Sequence, residues 1–216
     1  MRVALTFDAE HPDRPHAPPG VAEEVLAILG TQGVTATFFL QGRWVEAYPH
    51  LGRRIAAEGH RIGSHSFYHV RMPLLSDEGI RADVLSAERT IMAVTGHSPK
   101  PWFRCPWGQC GNDDRVHRAL TDLGYQRVGW TIHGRDWDVT RTADEVAQTI
   151  LGTVARGERD LIVLMHTWPA TVPPVLNTLI ARVRGAGGTF VTVDALDLAP
   201  DAMARIPQAD RDAETD

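Results

Sequence analysis

Leu161-Ile162-Val163-Leu164-Met165-His166 is a run of five apolar residues that ends on an ionisable one. Such a run lacks the polar alternation of a half-exposed strand. It fits a strand covered on both faces, as in a parallel sheet packed between helices. A helical pattern follows it over residues 173–184. Before it, Thr142-Ala143-Asp144-Glu145 has the form of a capping box and opens a helix to about residue 155.

The same unit recurs along the chain. Residues 3–7 are a short β-prone run ending at Asp8, and a proline-rich loop follows over 12–20. Residues 21–32 have helical spacing and stop at Gly33. Residues 35–40 form a second strand, 49–58 a helix closed by Gly59, and 61–65 a third strand. Ser76 is an N-cap with Asp77 and Glu78 in the first turn, and that helix ends near Thr95. Residues 102–105 make a fourth strand, Asn112 caps a helix to Leu123, 125–132 make a fifth strand and 189–193 a seventh. Seven strands alternating with helices predict an α/β fold built on a parallel sheet, open or closed into a barrel. Residues 1–198 read as one domain. Residues 199–216 read as a polar, flexible tail containing at most a short helix.

The chain has 216 residues, enough for one domain to bury a sizeable core. Its net charge of −5 argues against nucleic acid or an anionic membrane as partner. No apolar stretch reaches the length of a membrane span, and the N-terminus lacks a signal-peptide pattern, so a cytoplasmic monomer is expected. The two cysteines, Cys105 and Cys110, are no disulfide framework; their Cys-x-x-x-x-Cys spacing fits a bridge or half a metal site, but isolated reduced thiols are the expectation. Trp44, Trp102 and Trp130 read as core.

Chemistry in a parallel α/β barrel sits at the C-terminal ends of its strands. Those ends carry Asp8 and Glu10, then His65 and His69, then Arg104, Asp136 and His166. His65 and His69 lie four apart in a chain with ten histidines, so the pair alone is a weak signal. Independent bland explanations for all five strand ends are far less natural.

The motifs Thr6-Phe7-Asp8, His65-Ser66-x-x-His69, Arg104-x-Pro106-Trp107-Gly108, Asp136-Trp137 and Leu164-x-His166 stand in the order and spacing of the polysaccharide deacetylase family. This is the family of NodB-homology domains, or carbohydrate esterase family 4. The resemblance spans roughly residues 2–198. It implies a distorted, TIM-like (β/α)7 barrel and a metal-dependent hydrolase that removes N-acetyl groups from amino sugars. His65 and His69 are then ligands of a divalent ion, zinc first, with cobalt, nickel or manganese as alternatives. Asp8 is the general base, held by Arg104. His166 is the general acid, held by Asp136. The Trp107 backbone N–H serves the oxyanion, and Trp137 and Leu164 wall an acyl pocket.

The chain departs from the family at Ala9, where the usual motif has a second aspartate that ligates the metal. Residues 8 and 10 of an extended strand point to the same side, so Glu10 is the expected carboxylate ligand, with Asp8 as the alternative. Cys105 replaces a common proline and reads as a packing change. His11, His133 and Trp168 lie near the motifs, where they are candidates to line the groove, but a surface or packing role is the expectation for each. Two other functions fit the same residues. One is a cytosolic hydrolase of a small amide, imide or formamide. The other is a metal-free, inactive sugar-binding homologue.

Overall fold

The computed structural model describes residues 1–11, 17–110, 113–156 and 159–207. Their strands form one eight-stranded sheet in which every recorded pair is parallel. The strands are β1 (Arg2–Ala9), β2 (Thr37–Leu40), β3 (Arg61–Ser64), β4 (Trp102–Phe103), β5 (Gln126–Arg127), β6 (Ile132–His133), β7 (Asp160–His166) and β8 (Thr189–Val191). Their order is β5-β4-β3-β2-β1-β7-β6, with β8 also pairing β1. The sheet curls into a partial barrel, so the barrel expectation holds.

The helices are α1 (Val21–Gln32), α2 (Gly42–Ala47), α3 (Pro49–Ala57), α4 (Asp77–Thr95), α5 (Asp114–Asp122), α6 (Ala143–Val154), α7 (Val172–Gly185) and α8 (Pro200–Met203). Val3, Leu5, Phe7 and Ala9 of β1 face outward into a large apolar layer shared with α1, α6 and α7. Ala4 faces the other way, into an interior cluster with Phe39, Trp102, Trp130, Ile162 and Leu164. Thus Trp44, Trp102 and Trp130 are buried, as expected. Ser76 caps α4 by accepting from the Gly79 N–H, and the Thr142–Glu145 capping box is present.

Three local expectations need correction. The fifth strand is two short ones, β5 and β6, at opposite ends of the sheet path and separated by residues 128–131. The ends of that stretch still bond to neighbouring strands, Val128 N–H to the Phe103 carbonyl and Thr131 N–H to the Ile162 carbonyl, and its middle is satisfied from elsewhere. The Gly129 and Trp130 N–H groups donate to the Met203 and Arg205 carbonyls, and Arg104 donates to the carbonyls of Val128 and Gly129. A buried backbone cannot leave these groups unpaired, so the C-terminal segment and one arginine stand where a ladder would. The N-cap of α5 is Asp113; Asn112 lies outside the described residues. The sequence reading also missed α2. The third correction concerns the cysteines: Cys105 and Cys110 form a disulfide, with Cα atoms 5.8 Å apart. The spacing allows a bridge as well as free thiols, and a tight turn that folds five residues back that far decides for the bridge.

Candidate active site

Parallel register sets the first geometric fact. Asp8 of β1 pairs with Phe39 of β2 on one side and with His166 of β7 on the other. A carboxylate and an imidazole from strands 158 positions apart in sequence therefore stand side by side at one rim. Ala9 is fully buried in the outer layer, so its side chain is turned away from that rim. Glu10, one residue past β1, turns back inward and is 4% exposed.

His65 follows β3 directly, and His69 ends a tight loop. The loop is fastened at several points. The Gly42 and Arg43 N–H groups donate to the Ser66 and Phe67 carbonyls. A Cβ on Gly42 would collide with the Phe67 ring, so the loop lies directly on the start of α2. The buried Asp83 of α4 accepts from the Phe67 and Tyr68 N–H groups at 2.9 and 3.0 Å. Burial raises the Asp83 carboxyl despite these bonds. The Ser66 hydroxyl accepts from the His69 N–H at 2.9 Å. Among the described residues, five non-glycine ones have left-handed φ angles: His11, Ser66, His69, Trp107 and Arg135. All but Arg135 lie in or against this loop. Such strain costs energy and persists where the surroundings over-determine it, commonly at functional sites.

Among the described residues, Glu10, His65 and His69 are the group whose ligand atoms converge, all within 4.8 Å of one another. Glu10 Oε2 lies 3.1 Å from His65 Nε2 and 2.6 Å from His69 Nε2. The other ring nitrogen of His65, Nδ1, is 2.8 Å from the Arg104 carbonyl, so Nδ1 carries the proton and donates. Neutral His65 then aims a lone pair at Glu10 Oε2, and at Asp8 Oδ2 3.5 Å away. Facing lone pairs repel without a cation between them. The donor set therefore fits a metal, and the backbone carbonyl fixes the tautomer, as such outer partners do. Without a cation, protons on those ring nitrogens take its place: burial alone would raise the Glu10 carboxyl, but hydrogen bonds donated by protonated His65 and by His69 outweigh it and hold it well below the usual range.

The remaining expected residues surround this group. Arg104 is fully buried and donates to Asp8 Oδ1 at 2.8 Å and to the Thr6 hydroxyl at 2.9 Å. Its guanidinium lies 4.1 Å over the Phe39 ring. Asp136 accepts from the backbone N–H of His166 at 2.7 Å and stands 3.1 Å from its Nδ1. Burial disfavours the His166 imidazolium. The carboxylates of Asp136, Glu10 and Asp8 outweigh burial and push it up to about 9. Trp137 meets the His166 ring edge-on at 5.4 Å and packs on the cluster that holds Leu164. Trp107 is 46% exposed, the most open of the expected site residues.

Two residues read as packing belong to the site. Trp168 Nε1 donates to Glu10 Oε1 at 3.4 Å, and His11 Nε2 lies 3.3 Å from the same oxygen. His133, the third such residue, stacks on Trp137 at 4.8 Å. The available signal was position: His11 follows Glu10 directly, and Trp168 follows His166 by two.

The buried Arg104–Asp8 pair also supports the fold. Arg104→Met is expected to lower unfolding stability by about 3–5 kcal/mol, because it leaves a buried carboxylate uncompensated. Denaturant melts measure this; a loss below about 1 kcal/mol would mean that Asp8 is satisfied by other groups.

Comparison with known proteins follows the same lines. The family model described as Polysaccharide deacetylase matches residues 1–128. The peptidoglycan-N-acetylglucosamine deacetylase of Bacillus cereus is 29% identical over 90% of this chain and 67% of its own length. The corresponding PgdA deacetylase of Listeria monocytogenes is 31% identical over 90% of this chain but only 38% of its own length. The solved structure of BA3943 from Bacillus anthracis, described as a CE4 family pseudoenzyme, overlays with a TM-score of 0.78 and 28% identity. That overlay covers 90% of this chain and 64% of that one.

Proposed function

The chain belongs to the polysaccharide deacetylase family, and from that premise we propose that it hydrolyses the N-acetyl groups of amino sugars in a polysaccharide of the peptidoglycan or chitin type. The observation that carries the reading is the register of β1 and β7. It sets Asp8 and His166 side by side against the Glu10–His65–His69 group. One carboxylate and one imidazole flanking a cation site are what water addition followed by amine departure requires.

His65, His69 and Glu10 hold the divalent ion, with zinc favoured by two imidazoles and one carboxylate. When bound, that ion supplies Lewis-acid polarisation of the acyl carbonyl and brings the pKa of water toward about 7. Asp8 takes the proton from the attacking water. Arg104 orients Asp8 through its hydrogen bond to Oδ1. The Trp107 N–H donates to the oxygen that gains charge as the carbonyl is attacked. His166 Nε2 delivers a proton to the departing amine, and Asp136 keeps the ring oriented and cationic. Trp137 and Leu164 wall the space for the acetyl methyl. The products are acetate and the free amino sugar.

The role of Asp136 predicts a change in pH dependence. His166 serves as an acid only while protonated, and Asp136 raises its pKa. Asp136→Asn is therefore expected to move the alkaline limb of kcat to lower pH and to lower the plateau. A pH–rate profile with an unmoved limb would separate His166 from the acid step.

The direct test is acetate release from chitooligosaccharides, peptidoglycan fragments and small N-acyl compounds. It is run with chelator and after metal is restored. Release from the sugars that stops with chelator and returns with metal supports the proposal. Turnover of the small compounds alone transfers the reading to a small amide. A second reading, an inactive sugar-binding homologue, is favoured by Ala9 and by the likeness to a pseudoenzyme. It requires that the chain, offered metal, bind none and release no acetate from any of these. The disulfide supports work in an oxidising compartment, where such bonds persist.

A further inference from the structure

The Cys105–Cys110 disulfide closes a six-residue ring over Pro106, Trp107, Gly108 and Gln109. That segment and the residue before it touch both candidate metal histidines. Arg104, immediately before it, offers its carbonyl to His65 Nδ1 at 2.8 Å. Trp107, at its crest, donates its indole N–H to the His69 carbonyl at 3.2 Å. The Trp107 ring lies 5.0 Å from the His69 ring, with the Arg71 guanidinium 5.2 Å from the indole. His69 and Trp107 both have left-handed φ angles, 58° and 62°. Gly108 continues that turn at 72°. Two strained residues thus meet through one hydrogen bond.

The ring is itself anchored to the body of the fold. Its Gly108 and Gln109 N–H groups turn back onto the Cys105 and Pro106 carbonyls. Cys110 is 1% exposed, accepts at its carbonyl from His117 Nε2 of α5 at 2.8 Å, and sits against Met72. Without the cross-link, a segment containing two left-handed residues would have only these hydrogen bonds and its packing to hold it.

We propose that Cys105 and Cys110 are positioning residues: their disulfide fixes the Trp107 turn and, through the His65 and His69 contacts, sets the geometry of the metal ligands. The inference rests on the metal-site reading above. It belongs to this chain's own residues, since Cys105 stands where a proline is common.

The test uses the full chain purified without reductant and the double variant C105A/C110A. The wild type is expected to show no free thiol after denaturation; two free thiols would overturn the proposal. In metal-free protein, the Trp107 indole N–H is expected to exchange with solvent at least about tenfold faster in the double variant, because its acceptor is no longer held in place. Zinc affinity, measured against a chromophoric chelator, is expected to fall about 10–100-fold, the usual effect of losing an outer-sphere partner. kcat falls with KM nearly unchanged. A purely structural cross-link would lower the melting temperature and leave indole exchange and zinc affinity at wild-type values, and that result overturns the proposal. If the double variant fails to fold, a non-chelating phosphine reductant added to the native wild type provides the same readouts. If the wild type binds no zinc, the metal-site reading fails, while the indole exchange still decides whether the disulfide holds the turn.

Discussion

Glu10→Ala is expected to remove bound metal and activity together. The Glu10 carboxylate is the shared neighbour of both histidines, with Oε2 at 3.1 and 2.6 Å from their Nε2 atoms. No carboxylate stands at position 9, and Ala9 faces the outer apolar layer. Losing an outer partner of a metal ligand already weakens binding about 10–100-fold, so loss of a ligand should exceed roughly 100-fold. Elemental analysis after dialysis and a competition titration measure it. Unchanged metal content would transfer the ligand role to Asp8, whose Oδ2 is 3.5 Å from His65. Glu10→Asp sharpens the result. It keeps the charge but shortens the reach, and an intermediate affinity is expected. The rest of the Glu10 carboxylate is steadied by Trp168 and His11 at Oε1, so the side chain meets the histidines in one orientation.

Asp8→Asn should give the opposite pattern, with metal retained and turnover lost. Asparagine has nearly the same shape and keeps an oxygen for the Arg104 bond now made at 2.8 Å. It cannot take a proton from water. A positioned general base contributes about 10²–10⁴-fold, so kcat should fall by that order with KM little changed. Single-turnover and steady-state rates on the best substrate of the panel would show it. Wild-type kcat would eliminate Asp8 as the base, and loss of metal would make it a ligand instead. Comparing the two variants therefore assigns the two carboxylates separately, which neither does alone.

Much of this was legible in the amino-acid order. The apolar run before His166, the β-prone run before Asp8 and the short strand before His65 identify buried strands by hydrophobicity and length. A parallel strand ends where its apolar residues end, so the polar residues at those ends mark one rim. Ser76 and Thr142 announced their helices because capping is a local hydrogen bond, decided within four residues. The split of the fifth strand was not legible. Residues 128–131 have strand composition, but only their ends bond to neighbouring strands, while the return of residues 203–205 and the reach of Arg104 take the hydrogen bonds of Gly129 and Trp130. His11 and Trp168, read as surface or packing residues, were undervalued for a similar reason. Trp168 meets Glu10 Oε1 through the convergence of the segments after β1 and β7, and His11, next to Glu10 on one loop, reaches it through its left-handed turn.

The sequence by itself determined the alternation of strands and helices, the rim at which the polar strand ends gather, and the residues that stand there. These follow from hydrophobic period and from the positions of ionisable groups, which are properties of short stretches. Tertiary structure decided which carboxylate reaches the histidines, that Cys105 and Cys110 join, and that Trp107 leans on His69. Each of these depends on a distance of a few ångströms between segments remote in the chain, or on the hand of a single backbone turn. Neither has a signature in the order of residues, because hydrogen bonds and a disulfide form only once the sheet and its loops have brought their atoms within reach.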